Sequence, residues 1–202
     1  MFFLDAKRPI ATCSASTCDG CQVRDALQCH FGIKDLVHFL CLCLPSFLLG
    51  GAGVYHVNGW FLVPWLFIVV GFFGFAEIRV MCSHCPHYAE KDRSLKCWAN
   101  YGAPKIWRYR PGPMTTKEKT IFWAGLVLVW GYPFYFIVFD FQWFLLIVYA
   151  ISSAGFFLTL KTFFCTRCMN FACPLNDVDE DARLQFFKRN PDVAKAWKID
   201  TA

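Results

Sequence analysis

The sequence predicts an all-α integral membrane protein: four transmembrane helices, paired as two helical hairpins, with a cytosolic Cys-rich metal-binding cap. Three observations carry that expectation. The 202-residue chain is 56% apolar, with 23 Phe and 8 Trp, above the roughly 45–50% typical of a soluble domain. Its charged residues, 17% of the total, are confined to segments that flank long apolar runs. A three-cysteine motif recurs three times, and two apolar runs separate each copy from the next. An even number of crossings returns the chain to the same side of a membrane, so all three copies are expected on one face.

The elements follow in order. Residues 1–35 form a polar N-terminal segment holding the first motif. Met1-Phe2-Phe3-Leu4 is interrupted by Asp5, Lys7 and Arg8, so no signal-peptide core is expected there. Hairpin one occupies 36–78. Its first span, from Leu36 to about Tyr55, has the roughly 20 residues a bilayer core requires. It carries Pro45 and the run Gly50-Gly51-Ala52-Gly53, suited to close helix contact. A short connection leads to a second span, Trp60 to Ile78, closed by Glu77 and Arg79. Residues 79–119 form a Cys-rich loop whose Pro and Gly density around Tyr101–Pro113 predicts ordered loop and not helix. Thr115 or Thr116 with Glu118 predicts a capped helix start. Hairpin two occupies 120–160, with spans from about Ile121 to Phe139 and from about Trp143 to Leu160. The tail, 161–202, holds the third motif, then an acidic N-cap region for a helix through Arg189, with another helix starting at Pro191.

Every Lys and Arg falls in residues 1–35, 79–119 or 161–202, whereas the opposite turns carry one formal charge, Asp140. The positive-inside rule therefore predicts both termini and all three motifs on the cytosolic side of an inner (cytoplasmic) membrane. The same distribution explains the net charge of +5 without a nucleic-acid partner, since no single basic face forms. Trp107-Arg108-Tyr109-Arg110 reads as an anchor at headgroup depth. In the tail, Leu184, Phe187 and Trp197 would lie against lipid or pack internally.

Ten of the 12 cysteines belong to the motifs: Cys13, Cys18, Cys21 and Cys29; Cys82, Cys85 and Cys97; Cys165, Cys168 and Cys173. In a reducing cytosol, Cys-x-x-Cys pairs point to metal ligation or redox chemistry and away from structural disulfides, because two thiolates at that spacing aim at one point. The first motif supplies four thiolates, the first three at the spacing of plant-type [2Fe–2S] ferredoxins. Four thiolates also suit tetrahedral zinc. The second and third supply three each, to be completed by His84 or His87, by each other or by an exogenous ligand. Cys85-Pro86 and Cys173-Pro174 resemble the Cys-Pro step of ferredoxin-type motifs.

The expected function is membrane-associated electron transfer through iron–sulfur clusters, with a quinone or a redox protein as partner. Alternatives are a zinc-stabilised scaffold without catalysis, a thiol–disulfide protein in which Arg167 and His84 favour thiolates, and a soft-metal transporter using Cys41-x-Cys43-x-Pro45. Four spans with Cys-x-x-Cys pairs invite comparison with quinone-coupled disulfide enzymes of the vitamin K epoxide reductase type, but those keep their reactive thiols on the oxidising side. Only His38 lies within a span, which excludes paired axial histidines for an intrinsic haem. P-loop, dinucleotide-binding and hydrolase signatures are absent.

Overall fold

The computed structural model describes residues 7–200; Met1–Leu4, where no signal peptide is expected, lie outside them. Four helices among the described residues are long and apolar enough to cross a membrane: α1 (Ile33–Val57), α2 (Gly59–His84), α3 (Thr116–Phe139) and α4 (Trp143–Arg167). Two short helices, α5 (Glu180–Arg189) and α6 (Pro191–Ala196), follow in the tail. No strand is present among the described residues, only an isolated bridge between Ser94 and Pro104. This is the architecture of a multi-pass membrane protein. Trp60, Phe67 and Phe144 are 81%, 75% and 83% exposed, and so many large apolar side chains facing outward require lipid as the solvent.

The span helices run longer than the hydropathy of the sequence predicts, chiefly at the ends nearest the cysteine motifs. Thr115 supplies the expected start of α3: its hydroxyl accepts from the Glu118 amide at 3.3 Å, and the Glu118 carboxylate accepts from the Thr115 amide at 2.9 Å. The expected tail helices form with Asp179 as the α5 N-cap and Pro191 opening α6. Between spans the chain turns tightly. His56 and Asp140 meet at 3.0 Å across the two turns, and Gln142 donates to both Asp140 and the Gly53 carbonyl.

Helices in lipid gain little from apolar burial against one another and associate through close packing. The glycine run in α1 supplies that contact. A Cβ at Gly50 would meet Pro133 and Tyr149 at 3.1 Å, and one at Gly53 would collide with Ile137. Gly125 of α3 seats the Phe72 ring of α2 in the same way. Pro133 has no amide to give the Val129 carbonyl one turn back, and a bare carbonyl in lipid costs several kcal/mol by order of magnitude. The Trp65 indole N–H repairs this, donating to Val129 O at 2.9 Å, and Tyr149 donates to the adjacent Trp130 O at 2.8 Å. These bonds pin α2 and α4 onto α3.

Both even-numbered spans end alike. A five-residue π-helical turn, Phe72–Ala76 in α2 and Leu160–Phe164 in α4, precedes a 3₁₀ turn that begins on the first cysteine of the motif, Cys82–His84 or Cys165–Arg167. Beyond the spans, the polar segments share one core. Ile10, Val23 and Leu27 pack with Cys85, Met169, Phe186, Phe187, Val193 and Ala194. Phe187 is thus enclosed by protein, and Trp197 packs against the Phe187 ring at 5.8 Å, which settles the tail residues Phe187 and Trp197 as internal packing. Leu184 is 40% exposed. Cys43 is buried in α1, whereas Cys41 is exposed on its outer side, because positions two apart on a helix diverge.

Gly125→Ala and Gly53→Ala are each expected to cost about 1–3 kcal/mol by overpacking, lowering the melting temperature in detergent. Gly155→Ala, with nothing within 4 Å of the added Cβ, should leave it unchanged or raise it slightly.

Candidate metal-binding region

The three motifs, far apart in sequence, are joined at one end of the bundle by direct hydrogen bonds. The Gln28 amide donates to Arg167 O at 2.9 Å, tying the first motif to the third. Asn170 donates through its side chain to Met81 O at 3.2 Å, tying the third to the second. The Ala11 amide donates to the Glu90 carboxylate at 2.6 Å, tying the N-terminal segment to the long loop.

Glu118 anchors that loop to the spans. Arg110 Nη1 lies 2.6 Å and Arg79 Nη1 3.6 Å from its Oε1, with His84 Nε2 3.5 Å from Oε2. Arg110 also donates from Nη2 to Arg79 O at 2.7 Å and from its amide to Ser83 O at 2.8 Å. The end of α2, the loop and the start of α3 therefore meet at one carboxylate, which fixes the position of Cys82 and Cys85. The capping pair of Thr115 and Glu118 is readable in sequence; the long-range partners of Glu118 are not. Trp107 sits under the Arg79 guanidinium at 5.7 Å, with its indole N–H 3.3 Å from Phe75 O, a placement suited to the headgroup-level anchor.

In the first motif, Gly20 at φ +67° takes the left-handed conformation that a side chain would strain, and the Cys21 amide donates to Cys18 O at 3.3 Å. Burial, followed by the neighbouring Cys21, Cys18 and Cys13, pushes the Cys29 thiol up to about 12. His30 lies beside them but is occupied by Arg8 O, 2.8 Å from its Nε2.

In the second and third motifs Cys82, Cys85 and Cys165 are buried. The Cys85 thiol is pushed well up by burial and then by Cys168, Cys97 and Cys173. Burial pushes Cys97 up to about 12, with Glu77 and Cys168 adding to it. Burial also raises Cys168, and raises Cys173 with help from Cys168 and Cys165. Glu77, a span-ending residue in the sequence reading, is only 4% exposed. It sits among these thiols, 2.9 Å from the Asn100 side-chain amide, which also reaches Cys82 Sγ at 3.4 Å. All cysteines are free thiols. Among the described residues no three Cys, His, Asp or Glu side chains are drawn close enough to grip one ion; the sulfurs are neighbours, not yet a coordination shell.

The two candidate histidines are placed differently. His84 has Nδ1 3.0 Å from Gly112 O and Nε2 toward Glu118, so its ring serves the loop anchor. His87 is 1% exposed, edge-on to Phe31 at 5.2 Å, and neither ring nitrogen makes a hydrogen bond of good geometry. Burial, then His30 and Lys105, lowers it to about 3, leaving a neutral imidazole beside the Cys29 backbone. Arg167 stacks on the Phe163 ring at 5.3 Å.

Two outcomes follow. Glu118→Gln weakens charged hydrogen bonds worth about 1–3 kcal/mol and is expected to lower the melting temperature, with faster proteolysis of the 86–112 loop. In the metal-free protein, folding favours the neutral thiols of Cys29 and Cys97. Their contribution is fully present below about pH 9 and is lost as pH rises toward about 12. The melting temperature should hold to about pH 9 and then fall, more shallowly in the Cys29→Ser/Cys97→Ser variant.

The chain matches no protein-family model, no curated protein and no solved structure.

Proposed function

We propose that this protein is a multi-pass membrane protein that binds metal through its three cysteine motifs, preferentially as iron–sulfur clusters, and passes electrons at the membrane boundary. The observation that carries the reading is that direct hydrogen bonds join the three segments bearing ten free thiols at one end of the bundle. Burying so many protonated thiols together gains little beyond what apolar side chains would supply, whereas a soft metal replaces their protons and binds the resulting thiolates. Raised thiol pKa values are the opposite of what a thiol–disulfide nucleophile requires. The placement of Arg167 over Phe163, and of His84 toward Glu118, removes the expected activators. Cys41 and Cys43 diverge on α1, so the transporter alternative lacks a paired site in the span.

Iron–sulfur chemistry is preferred because the thiol group lies directly at the ends of α2 and α4, where electrons would reach a membrane-dissolved quinone. A cleft of about 240 Å³ lined by Trp123, Phe157, Leu160, Lys161, Cys165 and Leu175 opens beside that group and would seat the acceptor's ring. The orientation consistent with the Lys and Arg distribution places both termini and the motifs on the cytosolic side. A zinc-stabilised scaffold is the second reading, favoured by the packing of Cys13, Cys21, Cys29 and Cys85 with the core of the polar layer.

Anaerobic purification followed by iron, sulfide and zinc analysis with a visible spectrum separates them. Iron and acid-labile sulfide with broad charge-transfer bands that bleach on reduction are expected. Stoichiometric zinc and no visible bands would replace electron transfer with the scaffold.

A further inference from the structure

We propose that Arg79, stacked on Trp107 at the end of α2, is the centre of a binding site for the phosphate of an anionic membrane phospholipid. The inference goes beyond metal binding and does not depend on it. It uses only the membrane-spanning character of the helices.

Depth is the first observation. The loop before α3 lies down against α2: the Trp107 indole N–H is 3.3 Å from Phe75 O, and the Trp107 amide donates to the Tyr88 hydroxyl at 2.8 Å. Phe75, Ile106 and Trp107 are 56%, 46% and 42% exposed. Large apolar side chains thus face outward beside a span, with Phe75 one helical turn before the Arg79 guanidinium. That combination fits the zone where acyl chains give way to headgroups.

The second observation is that Arg79 has donors to spare. The Glu118 carboxylate is supplied without it: Arg110 Nη1 lies 2.6 Å from Oε1, and the Thr115 amide and hydroxyl each donate to Oε2 at 2.9 Å. Arg79 Nη1, 3.6 Å from Oε1, is left outside hydrogen-bond length. Its other contact is the face of Trp107, 5.7 Å from the ring centroid. The ring steadies the guanidinium plane and leaves its N–H edge open, and a planar fork of donors matches two oxygens of one phosphate. Less side-chain freedom remains to be lost when a ligand arrives. The Arg79 side chain is 41% exposed, so the fork can be reached from the headgroup layer.

Charge is the third. Two guanidiniums converge on one carboxylate, so a positive charge is left uncancelled at this point. Arg108, exposed and next to Trp107 in the loop, adds to it. A zwitterionic headgroup brings its own cation, which this surplus repels, whereas a headgroup charged only through its phosphate is attracted. Lys161, near the end of α4, is tied to Asp177 at 2.8 Å and offers no comparable surplus.

The test titrates the full chain, purified in neutral detergent, with dioleoyl phosphatidylglycerol or dioleoyl phosphatidylcholine and follows the melting temperature. Phosphatidylglycerol should raise it saturably and phosphatidylcholine should not. Arg79→Gln should weaken the apparent affinity for phosphatidylglycerol about tenfold, the loss of a charge-assisted hydrogen bond. Arg79→Lys, which keeps the charge without the fork, should fall between the two. Arg108→Gln should stay within about twofold of wild type, as a lone exposed charge does. Equal responses to the two lipids, equal losses in Arg79→Gln and Arg108→Gln, or a rise reproduced by millimolar inorganic phosphate would each overturn the site. Should Arg79→Gln fail to fold, Arg79→Lys decides alone, and wild-type affinity in that variant overturns the assignment. None of these readings depends on metal content, so the metal-binding proposal stands or falls separately.

Discussion

The close approach of α1 to hairpin two at Gly50 and Gly53 is the contact on which the remainder of the molecule depends. In lipid, a helix gains nothing from hiding leucine against leucine, and only atoms in contact hold spans together. Two absent side chains let α1 reach Pro133, Ile137 and Tyr149. That contact sets hairpin two against hairpin one at a fixed height and rotation. The ends of α2 and α4 are thereby brought level, and the second and third cysteine motifs leave the membrane region side by side. Trp65 and Tyr149 serve the same purpose from the polar side. They satisfy carbonyls of α3 in the stretch that Pro133 interrupts, so the packing surface is kept without leaving a bare acceptor in lipid.

Above the spans, the polar layer is held by a small apolar core and by one carboxylate. Glu118 gathers two arginines from the end of α2 and the long loop, while Phe186 and Phe187 close the core that the N-terminal segment, loop and tail share. The thiols occupy the dry seam between this layer and the helix ends. There, burial disfavours the thiolate forms of Cys85, Cys97 and Cys173.

Much of the architecture was legible in the residues. Apolar runs of bilayer length, the confinement of Lys and Arg to alternate segments, the Thr115–Glu118 capping pair and the glycine run all state local preferences that the fold follows. The candidate site was legible as three motifs at one end, and no further. Which cysteines meet depends on the rotation of one hairpin about another, set by Gly53 and Gly125 against Ile137 and Phe72, and no periodicity encodes that. The π-helical turns before Cys82 and Cys165 rotate each motif by an extra residue, again without a letter-level signal. Glu77 and Glu118 both sit at span ends, where the sequence marks one as closing a helix and the other as capping one, and neither as buried. Their burial arises from partners 20 or more positions away, Asn100 for one and Arg79 for the other. His84, a plausible ligand by adjacency, is diverted by Gly112 and Glu118, contacts invisible at that spacing.

In the proposed function, segments distant in sequence build thiolate metal centres at one end of a membrane bundle. X-ray absorption at the metal edge of the anaerobically purified protein tests it most directly. A shell of sulfur alone at about 2.3 Å, the thiolate distance for zinc and close to that for iron, is the predicted result. A shell dominated by nitrogen or oxygen would contradict the account.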